Sequence, residues 1–396
     1  MSSLTRTAVR DIFEASRRWL IRTIHAAIGL VACSCVFTPP KPVSLRRVLV
    51  SGYTGLGNFI LKTVLIRKIQ ELYPGCEVNV IAGNSFGAEH VLNKLTSLIL
   101  PQQSNVFRTL LFFWKLRRMR FDAAFLAVDA APKFLIRGCV LAGIPIRVGH
   151  DVEGVSLPSY YYTVRVPMRQ AGPRNEIDLN LDLLEAVYGG RFERDYQPTV
   201  DFDSCPSVLK RYGLTPNRYV CVQIGAANGR PTPKRWPGDH FRAVIERLLK
   251  MYPDLGIVIL GDNGDVPIVH KALLELVAQP LINLAGKVTL EEAKNLIASC
   301  KFILCNDSGL LHLANALGTQ AIALYGPTDA DEYMLRLPTC HVLQAACDCG
   351  PPLRFLPGLY EETEAERAAR CPGPRCMQRL TVDRVYAKCT ELLGQV

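Results

Sequence analysis

Glycine in the order G-x-G-x-x-G is missing from this 396-residue chain, and with it the fingerprint of a dinucleotide-binding turn. The nearest run, Gly52 to Gly57 (GYTGLG), has the reversed order G-x-x-G-x-G. Read from Gly55, its third glycine position is Ile60, so nicotinamide chemistry is disfavoured. A nucleic-acid-binding signature is also missing, because the basic residues are spread along the chain and do not interleave with aromatics. The N-terminal apolar stretch, Ala26 to Phe37, has 12 uncharged residues, short of the roughly 20 that span a bilayer. The 14 cysteines lack the even, dense spacing of a small secreted scaffold. Most sit singly in apolar runs such as Val220 to Val222 and read as buried, reduced thiols.

What is present is a basic, apolar-rich chain. Hydrophobic residues make up 49%, which excludes general disorder, and the length suggests two domains. The 46 Lys and Arg against 36 Asp and Glu leave a formal +10, which points to an anionic partner; without a nucleic-acid signature, an anionic membrane surface or a phosphorylated glycolipid fits best. Arg6, Arg10, Arg17, Arg18 and Arg22 precede the short apolar stretch, with Trp19, Leu20 and Ile21 among them. That arrangement reads first as a basic amphipathic helix lying on a membrane and second as a cleaved export signal.

Beyond Pro39 to Pro42 the sequence alternates strand and helix. Arg47 to Ser51 is a strand, followed by the glycine run and a helix from about Asn58 to Tyr73; further strands fall at Val78 to Ile81, Ala123 to Ala127 and Ile146 to Val148. A helix from Asn175 to Tyr188 precedes a charged, proline-containing linker, Arg191 to Pro206. A second series has strands at Tyr219 to Ile224, Gly256 to Leu260, Phe302 to Leu304 and Ala321 to Leu324, and a final amphipathic helix spans Val382 to Leu393. The expected class is α/β with two doubly wound Rossmann-like domains. The organisation is a leader at 1–44, a first domain at 45–200, a second at 201–345 and a cysteine-rich tail with closing helix at 346–396.

The strongest local signal is Asn306 to Gly318 (NDSGLLHLANALG), which follows an apolar strand and opens a helix. A turn of this kind directs the backbone N–H groups of Ser308, Gly309 and Leu310 at one point, where a helix dipole of roughly +0.5 charge favours an anion. Its competing reading is an ordinary N-cap. Asp307 is expected to cap the amides or grip a sugar hydroxyl, and His312 lies one turn on. The loop Gly225 to Pro237 leaves the first strand of the second domain, and its Lys234 can neutralise a phosphate held at Ser308, or be a solvated surface lysine; Arg235 can stack on Trp236. Asp265 closes the next strand, as a ribose-binding carboxylate or a plain turn residue. In the tail, Cys349, Cys371, Cys376 and Cys389 can hold a structural zinc or iron, although the spacing is not C-x-x-C and Cys389 can pack with Val385 and Leu392 instead.

Taken together, Gly55 to Ile60 (GLGNFI), Pro233 to Pro237 (PKRWP), Leu284 to Leu290 (LAGKVTL), Asn306 to Ala314 and Ala323 to Thr328 resemble glycosyltransferase family 9, the ADP-heptose:lipopolysaccharide heptosyltransferases and their relatives. The resemblance runs from about Arg46 to Leu393. It implies a GT-B fold with the two domains facing a central cleft, the acceptor on the first and an ADP-sugar on the second, and an inverting transfer that requires no cofactor. By position it assigns Lys234 to the donor diphosphate, Asp307, Ser308, Gly309 and His312 to the sugar and phosphate pocket, Asp265 to the ribose and Val288 to the base. Family members usually carry Asp after the glycine run as the presumed base, and this chain has Asn58, which cannot accept a proton. Asp129, ahead of His150, is the expected substitute. The expected function is heptose transfer from an ADP-sugar to a lipopolysaccharide-core glycolipid at the cytoplasmic membrane face. The alternatives are a polypeptide acceptor, a non-catalytic nucleotide-sugar-binding homologue, and an epimerase on the same fold.

Overall fold

A computed structural model describes residues 44–394 apart from 53–54, 83–89, 94, 100–105, 128–132, 153–160, 169–174, 227–231, 275, 277–280, 334–336 and 346–374. The first half is a parallel sheet of β1 (Arg47–Gly52), β2 (Glu77–Ala82), β3 (Thr96–Ile99), β4 (Ala123–Leu126), β5 (Ile146–Val152) and β6 (Val164–Met168), in the order β3-β2-β1-β4-β5-β6. Its helices are α1 (Leu56–Leu72), α2 (Val106–Met119), α3 (Lys133–Leu141) and α4 (Glu176–Tyr188). After α5 (Pro206–Arg211) comes a second parallel sheet of β7 (Tyr219–Gln223), β8 (Gly256–Leu260), β9 (Leu281–Asn283), β10 (Ile303–Asn306), β11 (Ala321–Tyr325) and β12 (Cys340–Gln344), in the order β12-β11-β10-β7-β8-β9. Helices α6 (Gly238–Met251), α7 (Val266–Leu273), α8 (Leu290–Ser299), α9 (Gly309–Ala316), α10 (Ala330–Tyr333), α11 (Arg375–Arg379) and α12 (Val382–Gly394) complete it.

Both sheets have the strand order of a Rossmann fold, one read from each edge, so each has a single switch point where the direction of winding reverses. In the first sheet it lies between β1 and β4; in the second, between β7 and β10. The central strands read as unbroken apolar runs because helices cover both faces; β7 and β11 are buried at every position.

Helix α1 is buried nearly all round, from Phe59 to Ile66 and again at Ile69, because α4 packs on one flank and α9 of the second half on another. This leaves Lys62 with 0% side-chain exposure. It is held by Glu176, 3.0 Å from its Nζ and itself 1% exposed, and by the Asn58 carbonyl oxygen at 3.3 Å. A charge in such a place requires its partner, since removing either member strands the other in low dielectric. Glu176 is presented by the first turn of α4, whose N-cap Asn175 accepts a bond from the Ile177 amide.

The linker between the halves is extended chain tied to both. The Thr199 amide donates to Thr63 Oγ1 at 2.9 Å, Gln197 Nε2 donates to the Asn315 carbonyl at 3.0 Å, and the Cys205 amide donates to Asn295 Oδ1 at 2.6 Å. The closing helix α12 packs Val385, Cys389 and Leu392 into the apolar cluster that holds Trp236 and Phe241.

Candidate functional site

The loops that leave β1, β7 and β10 meet where α1 of the first half faces α9 of the second. Each of these helices starts without a side-chain cap: Gly55 offers none to α1, and Ser308, although at the N-cap of α9, makes no capping bond. The Ser308 hydroxyl instead donates to Gln223 Oε1 on β7. The first amides of a helix have no intrahelical partner, so two positive helix ends meet at this junction without side-chain caps.

The two ends approach closely because both are built from glycine. A Cβ on Gly57 would lie 2.6 Å from His312 Cδ2, and one on Gly309 would lie 3.2 Å from Leu56 Cβ. A Cβ at Gly57 would require the His312 ring or the helices to shift, and one at Gly309 would require Leu56 to give by a few tenths of an ångström.

Asp307 does not cap these amides. Its Oδ2 accepts from Lys234 Nζ at 2.7 Å and from the Thr328 hydroxyl at 2.8 Å. Burial pushes the Asp307 carboxyl up, but the Lys234 charge and hydrogen bond, with His312 and Thr328, outweigh it and hold the pKa below the ordinary value. Asp307 is therefore the anion that fixes Lys234 at the mouth of the site, with the lysine side chain still 29% exposed. His312 is buried, and desolvation lowers its pKa to about 4, so the imidazole is neutral at physiological pH. Its Nδ1 has no hydrogen-bond partner among the described residues.

Asn306 organises the loop that carries Lys234. Its Oδ1 accepts from the Trp236 amide at 2.9 Å, and its Nδ2 donates to the carbonyls of Ile224 at 3.0 Å and Gly225 at 3.1 Å. Trp236 is anchored in turn: it is 1% exposed, stacks edge-on to Phe241, and donates from Nε1 to the Leu380 carbonyl at 2.8 Å. Arg235 reaches the Ala226 carbonyl at 2.9 Å.

Asp265 lies behind the same wall. It is 1% exposed, and a Cβ on Gly225 would meet its carboxylate at 2.0 Å. Burial, then the neighbouring Asp262, raises its pKa, and its Oδ1 has no partner among the described residues. Val288 is half-buried at the edge of the main apolar cluster.

On the opposite wall Asn58 stands in the first turn of α1, half-buried. Asp129 lies outside the described residues. His150 is buried near the end of β5, at 1% exposure. In the tail, Cys349 and Cys371 lie outside the described residues. Cys376 and Cys389 are buried in the second domain's apolar cluster, where burial pushes the Cys389 thiol up to about 12. Among the described residues no group of three or more His, Cys, Asp or Glu is placed to hold a metal ion.

Gly57, Gln223, Asn306 and Thr328 were not marked as site residues by the sequence. Gln223 and Asn306 had a local signal, each a polar residue ending an otherwise apolar strand. The pairing of Thr328 with Asp307 and of Gly57 with His312 has no counterpart in local spacing.

Two doubly wound parallel-sheet domains that meet at α1 and α9 make the GT-B fold of glycosyltransferases. Residues 112–351 match glycosyltransferase family 9 (heptosyltransferase), and the chain belongs to that family. It is 41% identical over 304 residues to lipooligosaccharide heptosyltransferase 2 of Haemophilus influenzae, covering 71% of this chain and 83% of the relative. It is 26% identical over 310 residues to lipopolysaccharide heptosyltransferase 2 of Escherichia coli, covering 72% and 84%. The solved structure of E. coli ADP-heptose lps heptosyltransferase II shares the fold with a TM-score of 0.66 at 20% identity, over 89% of this chain and 99% of that one.

Proposed function

We propose that this chain transfers a heptose from ADP-heptose to a lipopolysaccharide-core glycolipid, with inversion at the anomeric carbon. The observation that carries the reading is the junction of α1 and α9, two helix N-termini without side-chain caps beside a lysine fixed by a buried aspartate. Charge develops on the departing diphosphate as the glycosidic bond to the donor breaks. The Ser308, Gly309 and Leu310 amides and Lys234 are aimed at that charge before the reaction begins, so little reorganisation is needed. His312, neutral, offers a hydrogen bond to the sugar or phosphate without adding a charge. Asp265, whose Oδ1 is open among the described residues, takes the ribose, and Val288 lies against the base.

The acceptor enters from the first domain, and its hydroxyl must lose a proton as it attacks. Asn58 sits where that proton would be taken but cannot take it. Asp129, three residues beyond Leu126 in the sequence, is assigned as the base. The basic charge of the chain suits a phosphorylated acceptor at the inner face of the cytoplasmic membrane.

The experiment is direct. Purified protein is mixed with ADP-heptose and a lipopolysaccharide-core acceptor, ADP release is followed, and the product is weighed by mass spectrometry. ADP release that depends on the glycolipid is expected. Release with a different sugar nucleotide but not with ADP-heptose overturns the donor, and transfer to polypeptide but not to glycolipid overturns the acceptor.

A further inference from the structure

Helix α2 packs beside α3 of the first domain, and its sequence (VFRTLLFFWKLRRM) is split into two unlike faces. Phe113 and Leu116 are buried against the first domain, with Phe112 and Met119 packed beside them. On the other side Leu110, Leu111 and Trp114 are 47%, 48% and 53% exposed. Three large apolar side chains within five residues of one helix form a patch rather than scattered surface residues. Arg108, Lys115, Arg117 and Arg118 surround it, all exposed, and no acidic residue lies in the helix. Arg118 lies over the Trp114 ring, its Cζ 4.2 Å from the centroid. Arg117 bonds the carbonyl of Leu141, itself 37% exposed at the end of α3, which extends the apolar surface.

We propose that α2 is a membrane-docking helix that seats the acceptor domain on an anionic lipid surface. The inference rests on the reading above that the acceptor is a glycolipid. An apolar stripe with a tryptophan beside a wholly basic rim matches the lipid–water interface at every level. Leucines enter the acyl boundary, the indole sits at headgroup depth, and the cations meet anionic headgroups, each basic residue strengthening attachment about fivefold. Charge selects this occupant over two others. The chain's own leader carries five arginines between positions 6 and 22 and is repelled by a basic rim. A second copy of the same face would set its cations against those of the first. No helix among the described residues is long and apolar enough to cross a membrane, so attachment through α2 is peripheral.

The test uses the full chain and vesicles of phosphatidylethanolamine with phosphatidylglycerol, compared with vesicles of phosphatidylcholine. Leu110→Ser/Leu111→Ser/Trp114→Ser is expected to lower vesicle affinity by about a hundredfold, and Arg117→Glu/Arg118→Glu is expected to abolish the preference for the anionic lipid. Both substitute exposed side chains, so thermal unfolding should stay at the wild-type temperature. Because the leader can bind membranes too, Trp114 is also read directly: brominated lipids should quench wild-type emission more than that of Trp114→Phe. Equal quenching, or unchanged vesicle affinity in the triple variant, overturns the docking helix. Self-association in solution that the triple variant abolishes overturns it in favour of a second copy. Activity separates this inference from the proposed reaction. The triple variant should keep wild-type ADP release with a delipidated, soluble core oligosaccharide and lose it selectively with acceptor embedded in vesicles. Absence of ADP release by the wild type on any acceptor defeats the reaction and leaves the vesicle result standing.

Discussion

Gly57 and His312 touch across the two halves of the molecule, with His312 Cδ2 only 2.6 Å from where a Gly57 Cβ would be. The contact sets how closely the N-termini of α1 and α9 approach, and so the width of the cleft at its reactive end. Gly57→Ala must push either the ring or the helices aside. Turnover measured by ADP release should fall between about ten- and a hundredfold, as expected for a small misplacement of reacting groups. Calorimetric affinity for ADP should change less, because the residues proposed to hold the diphosphate lie on the second domain. Wild-type turnover in this variant would show that the approach is not needed.

His312 also makes stability depend on pH. Its folded pKa, about 4, is below the ordinary value of 6.5. Above pH 6.5 the ring is neutral in both states and the folded protein bears no penalty. As pH falls from about 6.5 to about 4 the unfolded chain binds a proton that the folded chain refuses, so stability is lost across that window, by up to about 3 kcal/mol. Denaturant unfolding of wild type and His312→Gln at steps from pH 7 to pH 4 checks this. The variant's curve should be flatter by that amount, and parallel curves would refute the assignment.

Lys234 and Asp307 are coupled in the same way. Lys234→Met leaves a buried carboxylate without its cation, and a loss of about 2 kcal/mol is expected, less than for a fully buried pair because Lys234 is partly solvated. Adding Asp307→Asn should recover most of the stability. It should not recover ADP affinity, which depends on the missing ammonium. Recovery of both in the double variant would remove Lys234 from the donor site.

Asn58→Asp asks whether the missing carboxylate matters. The position is in the first turn of α1, where a negative charge is favoured by the helix dipole, so the variant should fold normally. If acceptor deprotonation limits the rate, transfer should rise by about a hundredfold, the usual worth of a placed base. An unchanged rate would rule out a catalytic role for the position and strengthen the case for Asp129. Asp129→Asn in the wild-type background should then cost a comparable factor.

The sequence determined the central strands, because strands covered on both faces are written as apolar runs: β1, β2, β4, β5, β7, β8, β10 and β11 are each legible within a few residues. The four strands it did not reveal, β3, β6, β9 and β12, are the four sheet edges. Edge strands are covered on fewer sides, so β9, β12 and β6 are largely half-buried and carry mixed side chains without a clean period. The Asn306 to Gly318 turn, the Lys234 loop and the family resemblance were equally local. They depend on spacing within one strand-to-helix unit, which a linear sequence records.

Tertiary structure decided what those parts do to one another. Asp307 was expected to cap the helix or grip a sugar; it does not cap, because its carboxylate binds Lys234 and Thr328, residues 73 and 21 positions away. Ser308 was an available cap and instead bonds Gln223 on a neighbouring strand. Asp265, expected beside a ribose, is buried against Gly225, a closeness that local spacing does not record. Asp307 and Ser308, each with a local partner within reach, are held instead by distant ones. Hydrogen-bond competition of that kind is settled by burial and register, and neither is written in the spacing of the residues concerned.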